Sequence, residues 1–341
     1  MHEKNEYLPK VSVIVPVKDG AAHIGELLNS LMQTDYDRDM LEIIVVDGNS
    51  TDNTREIVSQ YPVKLLLEER LGLNAARNTG IKNSSGEIVA FTDADCIIPK
   101  DWVSKIVDNF RDPQVGCVGG SVIGYYDGFL SRYSDESFIP VMRIFRKREV
   151  LDSVKPPQKY PAGCNMAFKR EALEKVGLFD ESIKYGFDED ELVERICRGG
   201  YKMVLDPNVL VRHKHRPALK ELLKQNFNYG KGLGLMLRKM GIKSVFPKWL
   251  LLCIIGFLAW SSIILTLTIY TFLTGSFASQ IILLTMLLLP LFGLMIFYGY
   301  QTIKKGDKKY RRIILYPPID IARALAFIFG GIYQLFKNYK D

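Results

Sequence analysis

From Val11 to Phe91, short apolar runs alternate with amphipathic stretches. Val11–Val17 is almost wholly apolar, the pattern of a strand buried on both faces. In His23–Met32, Ile24, Leu27, Leu28 and Leu31 recur at helical spacing. Glu42–Asp47 reads as a second strand, and a helix through about Ser59 follows, with Thr51 or Asp52 as its cap. Val63–Leu67 gives a third strand, Asn74–Asn83 a helix and Glu87–Phe91 a fourth strand. Such alternation predicts an α/β fold with a doubly wound parallel sheet. Further on, the pattern predicts helices over Arg170–Val176 and from about Asp188, and a strand over Lys202–Val211.

The fourth strand stops at two carboxylates, Asp93 and Asp95. Carboxylates at the carboxyl end of a buried strand stand where open α/β sheets bind ligands. Residues two apart on a strand share a face. The pair can therefore address one Mg²⁺ or Mn²⁺ ion, which prefers hard oxygen ligands, together with the phosphates it carries. Asp47 also ends a strand and is expected at the same crevice. The first strand–helix turn, Pro16–Gly20, lacks G-x-G-x-x-G, and the chain has no P-loop. Phosphate is thus met by carboxylates and a metal instead of a glycine nest.

In the acidic helix, a step of about 100° per residue makes Leu192, Val193, Ile196 and Cys197 one apolar face. Glu189 falls near its centre and Asp188 and Asp190 on its flanks. Glu191, Glu194, Arg195 and Arg198 are expected to point away. A carboxylate centred on an apolar face is costly to bury unpaired, and burial raises its pKa, which suits a general base. His213 and His215 follow the last predicted strand and are spaced to share a face.

Charge changes the picture beyond residue 245. Between Trp249 and Ile303 there is no Asp, Glu, Lys or Arg, and a span needs about 20 apolar residues. Two spans are expected near Trp249–Leu273 and Ile281–Tyr300, split by Thr274–Gln280. A third apolar segment, Ile313–Phe336, contains Pro317, Pro318, Asp320 and Arg323, and reads as a span or an interfacial helix. Arg238, Lys239, Lys243 and Lys248 precede the first span, and Lys304, Lys305, Lys308, Lys309, Arg311 and Arg312 follow the second. The positive-inside rule then puts a 1–245 domain in the cytoplasm and leaves 246–341 as a multi-pass membrane domain. These flanks supply much of the formal net charge of +7 and point to anionic lipid, not nucleic acid. The five cysteines are widely spaced with no C-x-x-C, so reduced cytosolic thiols are expected. Met1–Glu6 is polar and the apolar run Val11–Val17 is too short for a secretory h-region, so no cleaved signal is expected.

Taken in order, the motifs resemble family 2 glycosyltransferases of the GT-A fold. They are Val13-Ile-Val-Pro-Val-Lys-Asp19, Val45–Thr54, Gly72-Leu-Asn-Ala-Ala-Arg-Asn78, Gly86–Asp95, Pro161–Arg170, Phe179-Asp-Glu181 and Asp188–Leu192. The likeness covers roughly residues 10–235. It implies a GT-A nucleotide-sugar-binding domain with a doubly wound mixed sheet, followed by transmembrane helices. It also implies a UDP- or GDP-sugar donor. Pro16, Lys18, Asp47 and Arg77, with Asn78, would line the base and ribose pocket. Asp93 would lie near the ribose, and Asp95 would hold Mg²⁺ or Mn²⁺ on the diphosphate, with His213 as a further metal ligand. Gly163 and Asn165 would stand beside sugar and acceptor. The acid pair aligns as Asp188-Glu189 and selects Glu189 as the base, with Asp190 the alternative if the helix starts a residue later.

Gly20 and Gly48 stand where the family often has acidic residues, so the base stays open. Gln225–Tyr229 lacks the Arg-Trp of the processive Q-x-x-R-W motif, which points to a non-processive enzyme. The reading is an inverting glycosyltransferase acting on a hydroxyl of a lipid-linked or membrane-associated acceptor. The alternatives are a polyprenyl-phosphate glycosyl synthase, whose acceptor needs no strong base, and a non-catalytic nucleotide-sugar-binding membrane scaffold.

Overall fold

The computed structural model describes residues 8–68, 70, 72–155, 159–306 and 309–337; Met1–Glu6 and Lys308 lie outside them. Two compact units result. One comprises the chain up to Asp135 with Pro140–Pro217; the other comprises Glu136–Ile139 with Ala218 onward.

In the first unit, β1 (Val11–Val17), α1 (Ile24–Met32), β2 (Leu41–Asp47), α2 (Thr54–Val58), β3 (Lys64–Leu67), α3 (Leu73–Lys82) and β4 (Ile88–Phe91) follow the predicted alternation. All seven residues of β1 are buried, because β2 and β4 pair on its two sides and helices cover its faces. There follow β5 (Cys96–Ile97), α4 (Trp102–Asn109), β6 (Val115–Gly124), α5 (Phe129–Glu136), β7 (Glu149–Leu151), β8 (Met166–Lys169), α6 (Arg170–Val176), α7 (Asp188–Arg198) and β9 (Lys202–His213). The strand order is β3-β2-β1-β4-β8-β6-β9-β5, with β7 on β9. β3 to β4 are parallel, whereas β8, β5 and β7 run antiparallel to their neighbours. The sheet is therefore mixed.

Two boundaries differ from expectation. α2 starts at Thr54 because Asp52 is drawn across the loop, its two carboxylate oxygens accepting Thr54 N and Ala21 N, each at 3.0 Å. β9 continues to His213 because its last residues pair with β5 and β6.

The second unit contains α8 (Leu219–Met240), α9 (Val245–Thr274), α10 (Phe277–Lys305) and α11 (Arg311–Phe336). The last three are long and apolar enough to cross a membrane. The units divide after Pro217, earlier than the boundary at 245, because α8 packs along α11. Glycines set that packing: a Cβ on Gly230 would strike the Phe327 carbonyl oxygen, and one on Gly330 the Phe227 carbonyl oxygen. The two backbones meet directly, as small residues allow. Asp320 and Arg323, in the apolar stretch of α11, face inward. Asp320 accepts from the Tyr298 hydroxyl, and Arg323 donates to Ser137 Oγ at 3.1 Å and to the Ile139 carbonyl at 3.2 Å.

Candidate active site

The loops at the carboxyl edge of the parallel strands are tied to one another. Asp19 and Asn49 have left-handed φ values of 50° and 59°, and Asp19 bridges their loops by accepting Thr51 N at 2.8 Å. Pairing of β1 with β4 ends at Ile14, so Pro16, buried beyond it, forfeits no ladder bond on that side. Lys18 is exposed. Asp47, wholly buried at the end of β2, accepts Ser50 N at 3.1 Å through Oδ2, and its Oδ1 has no partner. Glu68, just past β3, adds a second buried carboxylate with an unpartnered Oε1. Burial holds Glu68 above the usual carboxylate range, a bond from Gly72 and the charge of Lys18 opposing it. A Cβ on Gly48 would lie 2.9 Å from Glu68 Oε2. Glu68 thus fills the space a side chain at 48 would need. The sequence reading missed it because a Glu after a short, half-exposed strand looks solvated.

Asp93 and Asp95 lie in the turn between β4 and β5, not on the strand. They converge nevertheless. Ligand atoms of Asp93, Asp95 and His213 all lie within 4.8 Å of one another. Two carboxylates and an imidazole suit a divalent ion such as Mn²⁺. His213 Nε2 is 3.2 Å from Asp95 Oδ1. Burial would lower this imidazole, but the Asp95 bond and the neighbouring Cys96 and Asp93 outweigh it and hold the pKa up to about 9. Burial would raise Asp95, but His213 draws it below the ordinary value. Asp93 is raised by burial and by Asp95. His215 shares no task with His213 beyond a 3.1 Å contact between their Nδ1 atoms; its Nε2 is tied to Asp135 at 2.9 Å.

The acidic helix α7 is entered through a strained turn. Tyr185 and Phe187 have φ of 76° and 66° on either side of Gly186, costing on the order of 1–3 kcal/mol each. The turn delivers three carboxyls to different surroundings. Asp188 forms a buried ion pair with Arg77. Arg77 accordingly stands beside Asp188, Glu189 and Asp93. Asp190 is buried with an unpartnered Oδ1, and burial plus Glu189 push it well above the carboxylate range. Glu189 is only half-buried. Burial and Asp188, opposed by Arg77, raise its carboxyl to about 7. Gly163 lies against both groups: a methyl there would press on the Arg77 guanidinium and stand 3.7 Å from Glu189 Oε1.

The structure also corrects the helical register. Asp188 and Asp190 are more buried than Glu189. Glu191 and Glu194 are buried rather than outward, held by Arg195 at 2.7 Å and Arg198 at 2.5 Å. Arg195 also bonds the Val176, Gly177 and Leu178 carbonyls, which closes the α6–α7 corner over that face.

Two expected ligand contacts serve the scaffold instead. Asn165 is wholly buried; its amide donates to the Ser121 and Val209 carbonyls at 2.8 and 2.9 Å and accepts from Trp102 Nε1 at 2.9 Å. Asn78 donates to the Phe179 carbonyl at 2.9 Å and Glu181 Oε1 at 3.0 Å, and accepts Phe179 N at 3.1 Å. In both amides the two N–H donors are fully used within the protein, so neither has a donor left for a substrate.

Residues 12–177 match the family model described as Glycosyl transferase family 2. Glycosyltransferase AglE of Haloferax volcanii is 34% identical over 264 residues, 74% of this chain and 82% of that protein. The chain belongs to glycosyltransferase family 2. This glycosyltransferase is also 21% identical, over 88% of its length and 99% of the relative's, to a Methanococcus voltae enzyme. That relative is named dolichyl N-acetyl-alpha-D-glucosaminyl phosphate 3-beta-D-2,3-diacetamido-2,3-dideoxy-beta-D-glucuronosyltransferase. Among solved structures, the mannosyltransferase PcManGT of Pyrobaculum calidifontis, in complex with GDP-Man and Mn²⁺, superposes with a TM-score of 0.63. It is 25% identical, over 97% of this chain and 88% of that one. The fold is GT-A, and the enzyme transfers sugar from a nucleotide sugar.

Proposed function

We propose that this enzyme is a membrane-anchored, divalent-metal-dependent, inverting glycosyltransferase. In this reading it moves a sugar from a UDP- or GDP-sugar to a hydroxyl of a lipid-linked or membrane-associated acceptor. The observation that carries the reading is Glu189. It is the one of the three α7 carboxyls left half open, its carboxyl is raised to about 7, and it faces Gly163 beside Arg77. A group with that pKa is available as a base near neutral pH and strong enough to accept a hydroxyl proton.

Asp95, with Asp93 and His213, would hold Mn²⁺ or Mg²⁺, which when bound neutralises charge on the diphosphate leaving group. Asp47 and Glu68 offer buried acceptor oxygens to the N–H groups of the base, with Pro16 and Lys18 at the same edge. Glu189 takes the acceptor proton as the hydroxyl oxygen attacks the anomeric carbon from the face opposite the diphosphate, which inverts the configuration. Arg77 neutralises Asp188 and so keeps a second full charge away from the base. Asp190, buried and raised, supports the helix start and does not reach substrate.

A lipid-linked acceptor is supported by the three apolar helices and by the dolichyl phosphate in the name of the Methanococcus relative. Mn²⁺ and a nucleotide sugar are supported by the PcManGT complex. A cytoplasmic catalytic unit is supported by the basic residues flanking α9 and α10.

Calorimetry tests the donor half of this proposal. UDP- or GDP-sugar is expected to bind tightly only with Mn²⁺ or Mg²⁺, and Asp95→Ala is expected to abolish that metal dependence. Equal metal-dependent affinity in the variant would overturn the metal assignment.

A further inference from the structure

Two thiols beside the carboxylates take no part in the proposed reaction. Cys96 opens β5 and Cys164 sits between Gly163 and Asn165; both are buried. Pairing of β5 with β9 sets Cys96 opposite His213, and the three bonds of Asn165 fix the turn that carries Cys164. The two Sγ atoms and one ligand nitrogen of His213 all lie within 4.8 Å of one another. Two sulfurs and an imidazole form a soft donor set, suited to Zn²⁺ and poorly suited to Mg²⁺ or Mn²⁺. Zn–S bonds of about 2.3 Å and Zn–N bonds of about 2.0 Å in a tetrahedron place donors roughly 3.5–3.8 Å apart. Side-chain shifts on the order of 1 Å therefore close the site. Asp95, a third exposed, marks its open side.

We propose that Cys96, Cys164 and His213 form a thiophilic site for a Zn²⁺-type ion, sharing His213 with Asp93 and Asp95, so that a soft ion there excludes the ion the reaction uses. Two S–metal bonds and one N–metal bond form as two thiol protons and the His213 proton leave to solvent, and nothing is oxidised or reduced. His213 Nδ1 faces His215 at 3.1 Å, so Nε2 alone serves either ion and cannot serve both. The exclusion rests on the metal reading given above; the binding does not.

The full-length protein in detergent is titrated with Cd²⁺ and followed by sulfur-to-cadmium charge-transfer absorption. A saturable band is expected, lost in Cys96→Ser and in Cys164→Ser and kept in Cys197→Ser. One equivalent of Zn²⁺ is expected to weaken Mn²⁺-dependent donor binding at least tenfold in the native protein and to spare Cys96→Ser and Cys164→Ser. If the serine variants do not fold, X-ray absorption at the cadmium edge of the native protein decides: two sulfur neighbours are expected in the first shell. A band surviving in both variants, or a first shell without sulfur, overturns the site. A normal band with Mn²⁺-dependent donor binding unchanged overturns the shared His213. Native protein that binds donor without any Mn²⁺ dependence would sink the carboxylate reading instead, while the band still decides the thiolate site.

Discussion

In the proposed mechanism single carboxylates carry the chemistry, and their environments separate their roles. Without metal, His213 is held up to about 9 by Asp95, so at neutral pH it carries a proton that a bound metal must displace. The apparent Mn²⁺ affinity should therefore rise with pH and level off above about 9, and His213→Gln should flatten this dependence; metal titrations at several pH values check it. Arg77→Ala leaves Asp188 charged and unpaired in a buried site, and should cost about 3–5 kcal/mol in unfolding experiments. Glu68→Ala should weaken nucleotide-sugar binding while leaving Mn²⁺ binding alone, which calorimetry separates. Asp47 and Glu189 stand out in the sequence because one ends a strand and the other lies in the first turn of a helix, and Asp93 and Asp95 because they closely follow the apolar run of β4. The roles of Asn78 and Asn165 were not legible. Their partners, Phe179 and Glu181 for one and Trp102, Ser121 and Val209 for the other, are distant in the chain, and nothing in a local pattern tells a saturated amide from a free one.

At the scale of elements, apolar periodicity located α1, β1, β2 and β4 to within a residue or two, because each buries a continuous run or a single stripe. It misjudged α7. A face defined by Leu192 and Ile196 does not foresee that Arg195, bonded to three carbonyls of the preceding corner, also buries Glu191. Nor does composition foresee that Gly230 and Gly234, four apart on α8, form a helix crossing. The geometry makes a direct prediction. Gly230→Val places a branched side chain against the Phe327 carbonyl, so it should lower the thermal midpoint in detergent by several degrees, while Gly256→Val, where a Cβ meets nothing, should not.

At the scale of the whole molecule, the sequence indicated one α/β unit and a membrane unit but set the border at 245, because the polar residues of α8 look soluble. Packing moves the border to Pro217. A chain ending after residue 245 would leave the α11-facing side of α8 uncovered, and should aggregate more in light scattering than one ending after residue 217. The central claim is that Glu189 is the base of a metal-dependent transfer to a hydroxyl. The turnover number of Glu189→Gln at saturating donor and Mn²⁺ tests it most directly. The account predicts unchanged donor affinity and turnover lowered about 10²–10⁴-fold, with loss of the acid limb near pH 7 that the native enzyme is expected to show. Near-native turnover in Glu189→Gln would contradict it, pointing to a phosphate acceptor that needs no base.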